Sequence, residues 1–284
     1  MKPVTCIYLF LAIALGLSGC VPAGSITMPT QVITPVSSLT PILPTSTFAL
    51  TATVTPTLPA ILESGQAKES IRILLQEAID CEAPCFWGIE PGRTTLDEAI
   101  DAFAHLGLSL KFVATLDGKD FYDVSYNLNN GIEVSPNIAI QNDTVKNLSV
   151  GINDTSQVGD PRKWSAYSPE TLISRYGTPS KVEFFLGRVA PAPTHSMVLY
   201  FETVELIVEY IGSNILISGT QLEICPITNQ VEYIHIWMGD DPQYPPSPSI
   251  PLEEATSLTM EEFSKLMIGN PDKACFKLRE EVFP

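Results

Sequence analysis

A helix with a side-chain cap at its start and a glycine at its end occurs three times in this chain, and that recurrence restricts the folds open to it. Thr95-Leu96-Asp97-Glu98 is a capping box, in which the threonine oxygen accepts a backbone N–H and the glutamate reaches back to the cap. Leu96, Ala99, Ile100, Phe103 and Leu106 then form one apolar stripe, and Gly107 supplies a left-handed C-terminal cap. Ser168-Pro169-Glu170 opens the second helix, with Leu172, Ile173 and Tyr176 inward and Gly177-Thr178-Pro179 closing it. Thr259-Met260-Glu261-Glu262 opens the third, which carries Phe263, Leu266 and Met267 up to Gly269-Asn270-Pro271. A further helix is expected from a Ser64 cap, with Ile71, Leu74, Leu75, Ala78 and Ile79 at helical spacing, ending near Cys81.

Between these helices the period changes to two. Strands are expected at Lys111 to Thr115, Phe121 to Asn127, Ile132 to Ile140 and Lys146 to Ile152, with Asn129-Asn130-Gly131 a hairpin turn. After the second helix they are expected at Lys181 to Leu186, Met197 to Glu202, Val204 to Tyr210 and Val231 to Trp237. In Val204 to Tyr210 the alternation places Glu205 and Glu209 on the water side. The predicted class is α+β: capped helices packed on one face of an antiparallel sheet, as two tandem α-β4 units, residues 63–155 and 165–284, with a C-terminal helix.

Nothing of this kind precedes residue 63. Lys2 is followed by a short apolar run, Ile7 to Leu17, too short for a spanning helix, which needs roughly 20 residues, but suited to a signal peptide. It ends in Leu17-Ser18-Gly19-Cys20, which resembles the lipobox of bacterial lipoproteins at every position. That resemblance implies a signal peptide over residues 1–19, cleavage before Cys20, and a diacylglycerol thioether and further acyl chain on that cysteine. Two or more acyl chains anchor a protein stably. The other reading is an ordinary secretory signal with a coincidental cysteine. From Val21 to Leu62 no charged residue occurs, and Thr, Pro and Ser dominate. Proline at that density excludes helix and central strand. Residues 20–62 are therefore expected to be a lipidated cysteine and an extended tether reaching on the order of 100 Å. The domain begins at Glu63, where charge begins.

Gly92-Arg93-Thr94-Thr95 opening a helix, and Tyr176-Gly177-Thr178-Pro179 closing one before a strand, look like the helix boundaries of small envelope lipoproteins of the BamE type. They are also similar to the tandem repeats of β-lactamase-inhibitor-like domains. Both resemblances imply helix pairs on antiparallel sheets that act by binding proteins.

The domain beyond the tether holds four cysteines: Cys81, Cys85, Cys225 and Cys275. In an exported domain an even number is most simply disulfide-bonded. Of three connectivities, Cys81–Cys85 with Cys225–Cys275 is favoured; the second would pin the last helix to the sheet. The alternatives are a redox pair at Cys81/Cys85 or a four-cysteine metal site, although the spacing there is Cys-x₃-Cys. Phe86 and Trp87, in the irregular loop between Pro84 and Pro91, either plug the end of the core or anchor a partner.

Catalytic patterns are scarce. His105, His195 and His235 have no partner at metal-ligand spacing, and there is no nucleophile elbow, zinc-protease motif, phosphate loop or dinucleotide fingerprint. Asp240-Asp241 and the Asp117-Gly118-Lys119-Asp120 turn are the acidic clusters nearest to a calcium site, without the EF-hand spacing. No cofactor and no metal are expected. A net charge of −16 argues against nucleic acid, which needs clustered Lys and Arg. The functional expectation is a membrane-anchored, extracytoplasmic, non-catalytic module that binds an envelope protein or surface ligand. The alternative is an envelope glycan hydrolase using paired carboxylates.

Overall fold

The computed structural model describes residues 61–77, 85–128, 131–154, 164–187, 194–213, 216–218, 221–225, 231–239, 249–269 and 274–282. Cys20 with the lipobox, Cys81, and Asp240-Asp241 lie outside them. The first helix, α1, spans Ser64–Gln76, and the Glu63 N–H, not Ser64, takes the capping role by donating to the Gln66 side chain. The second, α2, spans Leu96–His105. Thr95 Oγ1 accepts the Glu98 N–H while Glu98 accepts the Thr95 N–H, as the capping box predicts. That backbone hydrogen bond holds the Glu98 carboxyl below its usual range. Ala99, Phe103 and Leu106 are buried, but Ile100 of the predicted stripe is exposed.

Five strands follow: β1 Lys111–Leu116, β2 Lys119–Asp123, β3 Tyr126–Leu128, β4 Ile132–Gln141 and β5 Thr144–Asp154. Sequence alternation read β2 and β3 as one strand. Both pair with β4 in one register, Asp123 opposite Asn137 and Tyr126 opposite Val134. The break falls opposite Pro136, whose carbonyl accepts the Val124 N–H but which has no N–H to return.

Helix α3 spans Pro169–Tyr176, with the Ser168 hydroxyl accepting the Thr171 N–H. Then come β6 Lys181–Gly187, β7 Thr194–Phe201, β8 Leu206–Gly212, β9 Leu216–Ser218, β10 Gln221–Ile224, β11 Val231–Gly239 and β12 Ile250–Pro251. Glu205 lies outside β8, in a left-handed turn at φ 48°. The short helix α4, Leu252–Thr256, was not predicted; α5, Met260–Gly269, was, and Thr259 caps it with Glu262. Strand β13 is Phe276–Arg279.

The protein is α+β, built on one large antiparallel sheet in the order β1-β2-β4-β5-β11-β8-β7-β6-β12, with β3 also on β4. Each of its faces reads off the registers. One row across six strands runs Val134, Ile152, Ile234, Tyr210, Met197, Phe184; the next runs Pro136, Val150, Ile236, Val208, Leu199, Val182. All twelve are buried, and the five α-helices of the described residues contribute to the same apolar cluster, through Ile71, Phe103, Leu172, Leu252 and Phe263 among others. Helices therefore cover this face. Tyr210 crosses to the helical layer, its hydroxyl donating to the Tyr167 carbonyl.

A three-stranded sheet, β13-β10-β9, joins that layer. Phe276 on β13 packs between Phe184 of the large sheet and Phe263 of α5, at ring separations of 6.1 and 5.5 Å. Cys225 and Cys275 form a disulfide one step beyond the Ile224–Phe276 pair, at a Cα separation of 4.1 Å. The bridge clamps β13 to β10 and so holds the small sheet, rather than pinning the last helix as the spacing predicts.

Candidate functional site

The opposite face of the large sheet carries a different chemistry. Its rows run Asn137, Ser149, Trp237, Ile207, Tyr200, and Ser135, Gly151, His235, Glu209, Val198, Glu183. Ala139, Val198 and Trp237 on this face are buried, yet none belongs to the helix-covered core. Tyr233, His235 and Trp237 alternate along β11 with core residues Ile234, Ile236 and Met238, so the three rings share the outer side. His235 stacks on Trp237 at 3.8 Å, and Tyr233 meets His235 edge-on at 5.7 Å. Tyr233 lies across β5: a Cβ at Gly151 would come within 2.5 Å of its hydroxyl and 2.8 Å of Ser135 Oγ.

Between this row and the β1–β2 hairpin lies a cleft of about 200 Å³. Its walls are Trp237 on β11 and Phe121 on β2; its floor is Asn137, Ala139, Asn147 and Ser149 of β4 and β5. The registers explain the hollow. Phe121 faces Ala139, and Ser149 faces Trp237, so two small side chains separate two large ones across about 14 Å of sheet. A bulge between Ala139 and Ile140 lies beside it, the kind of irregularity that re-aims neighbouring side chains. The rim is the turn Leu116-Asp117-Gly118-Lys119, with φ of 52° at Asp117 and 73° at Gly118. Both values suit a tight hairpin of the I′ type. Lys119 Nζ reaches Asn147 Oδ1 at 3.4 Å, and Leu116 is 62% exposed.

A second polar group lies along the outer face. Glu183 and Glu209 flank Val198 on either side of β7. Glu183 accepts the Tyr200 hydroxyl at 2.7 Å and pairs with Lys181 at 2.7 Å. Burial pushes its carboxyl up, but Lys181, Tyr200 and Ser249 outweigh that and hold it below the usual range. Glu209 accepts the Ser196 hydroxyl at 2.5 Å. Burial, with the charges of Glu209 and Glu133, raises the Tyr233 phenol. His235 is pushed down to about 4 by burial.

The residues singled out from sequence fall elsewhere. Cys85 is disulfide-bonded, and Cys81, its expected partner, is outside the described residues. Phe86 is sealed in the core; Trp87, at φ 54°, is partly exposed and stacks on it at 4.5 Å. Among the described residues no three His, Cys, Asp or Glu side chains gather as a metal site, and no helix is long and apolar enough to cross a membrane. The aromatic row of β11 was within reach of the sequence, since Tyr233, His235 and Trp237 recur at period two. The cleft was not, because it needs the pairing of β2 with β4 and β5 with β11. Comparison with protein-family models, curated proteins and solved structures finds no match.

Proposed function

We propose that this is a lipid-anchored extracytoplasmic lipoprotein whose folded domain is a non-catalytic binding module for an envelope protein or surface ligand. The observation that carries this is the outer sheet face, where a cleft and an aromatic row lie on the side away from the helices and the apolar core. Rings held rigid by stacking lose little freedom when a partner arrives, which favours binding. The lipobox at Cys20 and the charge-free tether support display on a membrane surface. The resemblance to envelope proteins that bind proteins belongs to the same proposal. So does the tandem reading, supported by two four-strand runs, β1-β2-β4-β5 and β6-β7-β8-β11, each following a helix.

The test is a crosslinking pull-down from native membranes with the full chain, beside variants of the outer face. A recurrent partner lost on Ala139→Leu supports a binding module; capture of abundant bystanders alone removes it. Anchoring is tested apart: Cys20→Ser should release the protein from membranes and abolish the mass added by acylation.

A second reading rests on Glu183 and Glu209. Two strand spacings set their backbones about 10 Å apart, near the wide end of the carboxyl separations of inverting glycosidases. This hydrolase reading predicts release of reducing ends from envelope glycan, lost in Glu209→Gln.

A further inference from the structure

We propose that the cleft between the β1–β2 hairpin and Trp237 binds a neutral sugar ring; this rests on the binding-module reading and names its ligand. Three features of the cleft select that chemistry. Its floor residues, Asn137, Asn147 and Ser149, are polar and uncharged. Amides and hydroxyls both donate and accept, which suits a ligand carrying many hydroxyl groups. Its walls, Trp237 and Phe121, are aromatic, and such surfaces suit the apolar C–H face of a pyranose. Its volume, about 200 Å³, is below the range that holds drug-sized ligands and leaves room for one ring.

Charge narrows the choice further. Among the described residues, the ionisable side chains lining the cleft are Asp117 and Lys119 at the rim, of opposite sign, with Lys119 turned to Asn147. An anionic ligand such as a phosphate would find no compensating cluster among the described lining residues, and the chain carries −16 overall. A lipid tail would desolvate Asn137 and Ser149 without returning their hydrogen bonds. Trp237, 7% exposed and backed by His235, is held as a fixed wall.

The aromatic row also gives a direction. His235 and Tyr233 continue along β11 from Trp237, at ring separations of 3.8 and 5.7 Å, forming a track that leaves the cleft. A sugar in the cleft could be free or one unit of a polymer; both present the same ring, and the track favours the polymer.

The experiment is saturation-transfer NMR on the purified full chain in a sugar-free detergent. The probes are glucose, galactose, N-acetylglucosamine and the β-1,4 trimer of N-acetylglucosamine. The expected result is binding of at least one probe with a dissociation constant on the order of 1 mM. Asn137→Ala removes a floor amide and Ala139→Leu fills the hollow; each should weaken binding about tenfold or more with the thermal midpoint unchanged. If Ala139→Leu does not fold, Asn137→Ala carries the test alone. Tighter binding of the trimer assigns the site to a polymer, and equal binding to a free sugar. Absence of transfer to every probe, or affinity unchanged in the variants, overturns the sugar assignment. In that case a membrane partner lost on Ala139→Leu leaves the binding module standing, and its absence removes both.

Discussion

His195 makes the fold acid-sensitive in a defined window. It sits on the core face of β7, opposite Leu186 on β6 and Gly212 on β8, 1% exposed, and among the described residues neither ring nitrogen has a hydrogen-bond partner. Burial pushes it down to about 4. An unfolded histidine titrates near 6.5, so between about pH 6.5 and 4 the unfolded chain binds the extra proton. Stability therefore falls as pH drops through that window and is flat above it. Taking these two values, lowering pH from 7.5 to 5 costs about 2 kcal/mol from His195 alone. His235, also near 4, adds a share reduced by solvent screening on the outer face. Against burial, Lys181, Tyr200 and Ser249 hold the Glu183 carboxyl down as well, so its stabilisation is likewise lost as pH falls, but through the usual carboxylate range, below the interval from pH 7.5 to 5. Urea unfolding at pH 7.5, 6 and 5 measures the slope, in parent and in His195→Leu. The leucine gives up no hydrogen bond, so its cost at pH 7.5 should stay near 1 kcal/mol. It should remove about 2 kcal/mol of the acid loss. If His195→Leu loses as much stability between pH 7.5 and 5 as the parent does, the buried neutral histidine is refuted.

Three other perturbations probe the frame. Replacing Cys225 and Cys275 together by serine opens a loop of 50 residues, and should cost about 4 kcal/mol in urea unfolding. Gly239→Ala places a Cβ 2.2 Å from the Lys146 carbonyl oxygen at a backbone φ of 99°, and should cost about 3 kcal/mol or prevent expression of folded protein. A well-folded variant of parental stability would contradict that close approach. Thr95→Ala and Thr259→Ala each delete a cap of an amphipathic helix and should lower stability by about 1 kcal/mol each. The double variant should lose the sum, because the two helices share no cap partner.

The outer and core faces part company within single strands, and this gives the functional reading its physical content. In β11 one set of alternate residues is aliphatic and the other aromatic, so one short segment feeds both the apolar core and the outer wall. Truncating Ile236 would act on stability, whereas cleft-floor changes at Asn137 would act on binding. That separation is what makes the proposed ligand testable by mutation.

The helices were legible because their signals are local. Thr95 with Glu98, Ser168 with Pro169, and Thr259 with Glu262 each satisfy backbone N–H groups within one turn, whatever lies elsewhere in the chain. Alternation likewise disclosed most strands of the large sheet. It failed where a partner strand decides: Pro136 on β4 interrupts the β2–β3 line, and no reading of residues 119–128 alone contains that proline. It also passed over β10 and β13, four residues each, too short for a period to register. Their pairing brings Cys225 to Cys275, which spacing could propose but only the ladder seats on a small sheet. The cleft belongs wholly to tertiary structure. Phe121, Ala139, Asn147, Ser149 and Trp237 come from four strands, and the nonlocal registers of those strands place small residues between large ones. Local hydrogen bonding and side-chain period are written along the chain; which strand lies beside which depends on burying one continuous apolar face, and that is settled only when the whole sheet closes on its helices.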